Sequence, residues 1–401
     1  MRRDVRIDVI RGLGILMIAL DHLGAVAELL APDSFALPFL TWTRIGWSSA
    51  AEFFVFFSGF LIGLVYVRTL DSRGPWLLQA RAAHRAWQIY VANLLTLCVV
   101  LALLFGTPFG GPSIVAAAQL TDLVGADAAA AWVEFLTLQS APMFFEILQL
   151  YVVLLLAAPL FLLLARVSML AALLVSGAIW VAVQVNPSLN LATWHFNPFA
   201  WQFAFVLGML CSVGNVLARM EAATRRPAML LGSSALLLIA FAIKAADKTG
   251  TALPFIGAFE IAGIDKERLE PLRLLHFLVS IVFVINAMPR TAAAQRSLPM
   301  RAVGRIGQFS LECFCMSTVV VYASVGVLAN ASSITTLGVF LAGVVVVLLI
   351  CLFAVLMAWI RSEPWRGERA KRPAPVIHDV VEGAALSPVP PTQRVVDRAW
   401  S

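Results

Sequence analysis

The sequence predicts an all-α, polytopic integral membrane protein of about ten transmembrane helices, with both termini cytoplasmic. Three observations lead there. Of 401 residues, 61% are hydrophobic and 13% are charged, about half the charged share of a soluble domain. The apolar residues come in runs near the roughly 20 residues a helix needs to cross a bilayer. The Lys and Arg residues collect in alternate connections between those runs, as the positive-inside rule requires.

The first run, 12–30, carries Asp21, His22 and Glu28. No small-residue cleavage pattern follows it, so it reads as a spanning helix and not a cleaved signal. Runs at 48–67 and 88–106 give the second and third helices, with Arg68, Arg73, Arg81 and Arg85 between them. The fourth and fifth, 143–165 and 169–185, flank Arg166, and the sixth and seventh, 199–217 and 228–246, flank Arg219, Arg225 and Arg226. The eighth, 271–288, is joined to the ninth, 306–329, through Arg290, Arg296, Arg301 and Arg305, and the tenth covers 334–360. With the N-terminus inside, the cytoplasmic connections and tail hold 23 of the 29 basic residues. The opposite side receives 107–142, which has Asp122, Asp127 and Glu134 but no Lys or Arg, and the mixed-charge segment 247–270. The Ala-rich stretch from Ala126 to Leu138 reads as a short surface helix. Beyond Ile360 the composition turns to Pro and charge. The chain therefore divides into a membrane domain, 1–361, and a disordered, Pro-rich cytoplasmic tail, 362–401.

The net charge of +6 is a topology signal, and since it is gathered on no soluble domain it excludes nucleic acid as a partner. The five cysteines all lie in apolar stretches and read as small buried hydrophobes, which excludes a disulfide scaffold. Cys313 and Cys315, two apart, diverge on a helix and make a poor metal pair, so no metal site is expected.

Charged or titratable groups inside membrane helices are costly and often functional. Arg11 and His22 are eleven residues apart, about 20° past three helical turns, so they share a face roughly 16 Å apart along the axis. Arg11 sits at the cytoplasmic mouth and His22 about halfway across. A membrane histidine suits general-base work. Asp8, three before Arg11, can pair with it, whereas Asp21 projects about 100° away from His22. The plainer reading is that Asp21 and His22 tie helices together. Glu52 opens the second helix in AEFFVFFSGF and can meet His22 if the two helices pack side by side. Its alternative role is a helix-start carboxylate at the positive end of the dipole. Ser58-Gly59 permits close helix approach. Arg81 and Arg85 share a face and suit a phosphate or pyrophosphate, or else anchor the helix beside Trp87 and Tyr90. Arg273 and His276, three apart, open the eighth helix on the outer side. Glu146 and Glu312 lie in the fourth and ninth helices.

Arg11-x10-His22 and AEFFVFFSGFLIG resemble the membrane-bound acyltransferase family three. There an arginine and a histidine in the first helix have this spacing, and an acidic residue precedes an aromatic-rich run. The closer resemblance is to the OpgC family of membrane succinyl-modifying enzymes of osmoregulated periplasmic glucans. It rests on RIDVIRGLGILMIALDH, AEFFVFFSGF, FNPFAWQFAFVLGM, DKERLEPLRLLHFL and GRIGQFSLECFC, in that order between residues 6 and 315. The resemblance implies a multi-pass protein of the bacterial inner membrane that moves a succinyl or other acyl group from cytoplasmic acyl-CoA to a periplasmic glucan hydroxyl. On that reading no cofactor is bound, acyl-CoA (succinyl-CoA) is a co-substrate, and acyl-CoA, glucan and membrane lipid are the partners. His22 is the expected base, with Asp21 or Glu52 orienting it. Arg11, Arg81 and Arg85 are the donor-binding candidates. Arg273 and His276 are the acceptor- or acyl-binding ones, and Arg273 or Arg44 is a candidate for holding a succinyl carboxylate. Ser58 and Ser310 are weaker nucleophile candidates. Two rival readings remain: transfer of acetyl to another polysaccharide or lipid-linked sugar, and a transporter or flippase without chemistry. Internal repeats and Gly/Pro-broken helix pairs, the signs of the latter, are not visible in the sequence.

Reporter fusions within 107–142 and 247–270 should read as periplasmic, and fusions at 68–87, 218–227 and the tail as cytoplasmic. A periplasmic tail would overturn the even helix count.

Overall fold

The computed structural model describes residues 5–31, 41–108, 110–191, 193–214, 227–249, 263–288, 297–330 and 334–366. Among them the regular structure is entirely helical. The helices are α1 (Val5–Leu30), α2 (Trp42–Ile45), α3 (Ala50–Gly106), α4 (Pro112–Ala117), α5 (Thr121–Val124), α6 (Ala128–Leu136) and α7 (Glu146–Val167). They continue with α8 (Met169–Val185), α9 (Pro198–Val213), α10 (Pro227–Thr249), α11 (Pro271–Ala287), α12 (Leu298–Gln308), α13 (Ser310–Ala329) and α14 (Thr336–Arg361). The chain forms two compact units, Met1–Ala358 and Trp359–Ser401. In the second, Trp359 meets Trp365 edge-on across the short turn Pro364–Arg366. The expected tail lies, beyond residue 366, outside the described residues.

Six helices have the length and composition to cross a membrane: α1, α3, α7, α10, α13 and α14. The other apolar helices, α8, α9 and α11, have 17, 16 and 17 residues. At 1.5 Å per residue they reach about 25 Å, short of a hydrocarbon layer of about 30 Å. The runs expected as ten passes fall on six helices of spanning length and three shorter ones, with the second and third runs sharing α3. Outward-facing side chains are apolar: Leu160 of α7 is 68% exposed and Leu352 of α14 is 65% exposed, surfaces suited to lipid and not to water.

The 57-residue α3 begins with a capping box, Ser49 and Glu52 satisfying each other's backbone ends. It then bends at Gly74, whose φ of 77° no ordinary residue adopts readily, followed by Pro75. Arg81 donates to Thr69 Oγ1 at 2.7 Å and lies over the Tyr66 ring. Twelve residues of straight helix would set Thr69 and Arg81 about 18 Å apart, so the second arm turns back on the first.

Segments expected on one side of the membrane meet one another. At one end Arg44 pairs with Glu28, Lys244 donates to the carbonyls of Thr43 and Gly46, Asn330 reaches Pro108, Thr193 reaches Gln139, and Asn197 reaches Glu267. At the other, Arg166 pairs with Asp71.

α3 packs against α9 and α7, and α1 against α12 and α13. The first crossing is reciprocal. A Cβ on Gly59 would strike the Phe205 carbonyl, and one on Gly208 would strike the Phe56 carbonyl. The α1–α12 crossing repeats the pattern with Gly12 against Val303 and Gly307 against Asp8. Small residues of this kind let helix backbones approach in a medium that supplies no hydrophobic drive. Gly59→Leu should lower the melting temperature in detergent, at a cost of about 1–3 kcal/mol for the forced separation. Gly14→Ala, with open space around its Cβ, should leave it unchanged or slightly raised.

Candidate functional site

A partly open cavity of about 580 Å³ lies where α1, the start of α3, the 138–147 segment, the 193–196 turn and the 263–270 loop converge. Asp21, His22, Arg44, Glu146, His195, Lys244, Lys266 and Glu267 all line it. So many ionisable groups around one apolar-walled space mark the polar centre of the molecule.

His22 stacks on Phe144, with ring centroids 3.6 Å apart and planes 13° from parallel. Its Nδ1 is buried and makes no hydrogen bond. Phe144 holds a left-handed backbone, φ 76°, which is strained for an aromatic residue. Its N–H donates to Glu146 Oε2 at 2.9 Å, which holds that conformation in place. Tyr322 donates to the Met143 carbonyl, Asn93 to the Phe145 carbonyl and Gln149 to the Leu138 carbonyl. Side chains of α3, α7 and α13 thereby pin the segment that carries Phe144 against the histidine.

Neither expected carboxylate orients the imidazole. Glu52, fully buried, accepts from Ser49 N at 2.8 Å and Ser49 Oγ at 2.6 Å, and pairs with Arg273 Nε at 2.5 Å. The capping box and the guanidinium engage both of its oxygens, and none of these bonds involves His22. Asp21 lines the cavity but accepts from Thr41 Oγ1. Stacking on Phe144 replaces the expected carboxylate contact.

Arg273 also reaches the Ile264 carbonyl at 3.4 Å. His276, buried on the next turn of α11, has Nδ1 2.7 Å from Ser48 Oγ and 3.2 Å from Ser48 N. Its ring is part of a closed network, and it is not a wall of the cavity. Arg11 is not a wall residue either. It donates to Ser310 and lies over Phe54, which contacts Phe314 on the cavity floor. Ser58 donates to Tyr151, so neither serine candidate lines the cavity. Arg81 and Arg85 are exposed at the far arm of α3, Arg81 on Thr69 and Arg85 on Gln88. The structure brings His22 and Asp21 to one space and Glu52 with Arg273 to its edge, and leaves Arg81 and Arg85 at a separate surface.

Four further residues belong to the cavity: Phe144, Glu146, His195 and Lys266. Glu146 had a visible signal, a carboxylate in an apolar run. The others lie in turns whose sequence carries no periodicity. Among the described residues no group of three or more His, Cys, Asp or Glu could hold a metal ion.

Six helices of spanning length fit a multi-pass membrane protein, and the cavity with its cluster of ionisable groups is its candidate site. The family described as OpgC protein matches the chain over residues 3–362. The chain belongs to the OpgC family, and membership implies a membrane acyltransferase of osmoregulated periplasmic glucans. No curated protein and no solved structure gave a match.

Removing one partner of the Glu52–Arg273 pair leaves the other buried and unpaired. Glu52→Gln should therefore destabilise the protein by about 3–5 kcal/mol. The double variant Glu52→Leu/Arg273→Met should cost less than the sum of its single changes in detergent unfolding. Additive losses would show that the two groups are not coupled.

Proposed function

We propose that the protein is an O-acyltransferase of the bacterial inner membrane that moves a succinyl group from cytoplasmic succinyl-CoA to hydroxyls of a periplasmic glucan. The observation that carries this reading is His22, a ring on a membrane helix facing a cavity, with its Nδ1 free of any hydrogen bond. In the reaction the imidazole takes the proton of a sugar hydroxyl. The oxygen attacks the thioester carbonyl, the C–S bond breaks, and the imidazolium returns the proton to the departing thiolate. A hydroxyl is a poor nucleophile at neutral pH, so a positioned base contributes about 10²–10⁴-fold. Phe144 fixes the ring plane.

The cytoplasmic arginines serve the donor. Arg81 and Arg85 hold the nucleotide phosphates, and Arg11 guides the thioester arm past Phe54 and Phe314. Orientation follows the basic residues, with Arg68, Arg73, Arg81, Arg85 and Arg166 inside and the cavity toward the periplasm. His195 and the 193–196 turn face the arriving glucan. Succinyl, and not acetyl, is favoured by the three cations around the cavity, Arg44, Lys244 and Lys266.

The test is the mass and charge of periplasmic glucans from cells carrying each variant. His22→Ala should abolish acylation at unchanged protein level, while His276→Ala, at normal abundance, should retain activity. The reverse pattern would move the site to Arg273 and His276. Glucans that carry acetyl and no succinyl would replace the donor assignment.

A further inference from the structure

The cavity contains three cations, and they are not equivalent. Arg44 is paired with Glu28 at 3.2 Å. Lys244 is held by the carbonyls of Thr43 and Gly46. Lys266 has neither kind of partner. Among the described residues no carboxylate lies within ion-pair distance of it, and its ammonium lies over the Phe196 ring, 4.6 Å from the centroid. The acids whose charge reaches it, Glu146, Glu52 and Asp21, are bonded respectively to Phe144 N–H, to Ser49 and Arg273, and to Thr41.

The loop that carries Lys266 is built to leave it unpaired. Asp265 and Glu270, two of the three acids of the loop, both bind Arg268, at 3.4 and 2.8 Å, and the third, Glu267, lines the cavity without an ion pair to Lys266. Four consecutive carbonyls are then caught by neighbouring groups: Lys266 by Trp201 Nε1, Glu267 by Asn197 N, Arg268 by Gln184 Nε2, and Leu269 by Trp180 Nε1, at 2.8 to 3.0 Å. Such a clamp fixes the lysine stem at the cavity wall, so little ordering cost remains when an anion arrives.

We propose that Lys266 binds the terminal carboxylate of a dicarboxylic acyl group, and so selects succinyl-type donors over uncharged acyl groups of equal length. The inference rests on the acyl-transfer reading above. Thioester carbon and carboxylate carbon of a succinyl group are about 4 Å apart, and His22 and Lys266 line the same cavity. Burial, and after it the like charge of Arg273, draw the Lys266 ammonium below the ordinary lysine range. A bound carboxylate opposes both effects and holds the ammonium in its charged form. Phe196 supports the cation through its ring face while leaving its N–H donors free.

Purified protein with a glucan acceptor is assayed for thiol release from succinyl-CoA and from butyryl-CoA, its uncharged four-carbon counterpart. Wild type should prefer succinyl-CoA. Lys266→Met, which keeps the stem and removes the charge, should lower kcat/KM for succinyl-CoA about tenfold or more while leaving butyryl-CoA unchanged. Lys266→Arg should keep most of the preference. A Lys266→Met protein with an unaltered donor ratio, whether both rates persist or fall together, overturns the assignment, as does a wild type without preference. Wild type that transfers from neither donor overturns the acyl-transfer reading itself.

Discussion

Glu52 and Arg273 are 221 positions apart in the sequence, yet their side chains meet at 2.5 Å with almost no solvent around them. In a low-dielectric interior neither charge is tolerable alone. Each therefore dictates where the other's helix begins. Glu52 closes the capping box that starts α3, and Arg273 sits in the first turn of α11. Through the Ile264 carbonyl the same guanidinium holds the loop that leads to Lys266. Ser49, Ala50 and Ala51, just before Glu52, form part of the cavity wall. One ion pair thus sets the relation between two helices, a loop and the edge of the cavity.

The cavity itself is made by two irregular segments held from the side. The 138–147 segment accepts hydrogen bonds from three helices and keeps Phe144 in a conformation it would not choose alone. The 263–270 loop has its carbonyls occupied by residues of α8, α9 and the turn before α9. Irregular backbone at such a place requires partners for its polar groups, and supplying those partners also makes it rigid. The side chains that project inward, Phe144 and Lys266, inherit that rigidity.

The sequence exposed the class of fold because apolar run length is a local property. It exposed His22, Asp21 and Glu52 because charge inside an apolar run stands out. It misjudged their partners, since helical spacing relates residues on one helix and says nothing about which neighbour faces them. Glu52 and Arg273 were both visible, but the bond between them was not. Phe144 carries no glycine or asparagine to announce a left-handed turn, and Lys266 sits among charges that look like ordinary loop composition. The Ser58-Gly59 pair was a readable signal of close helix approach, and Gly59 is where α3 meets α9. The limits of α8 and α11 were readable, since the runs 169–185 and 271–288 match those helices to within a residue; α9 instead stops at Val213, capped by Gly214, four residues before its apolar run ends.

The bend of α3 has a consequence for how the chain can vary in length. A loop between two passes absorbs inserted or deleted residues by bulging or tightening. Between Glu52 and Arg85 there is no loop, only helix, one glycine-proline corner, and helix again. One residue added in either arm rotates everything beyond it by about 100°. It would turn Arg81 away from Thr69, or Gly59 away from Phe205. This stretch can change its side chains, but its number of residues is fixed by the need to keep both ends facing their neighbours.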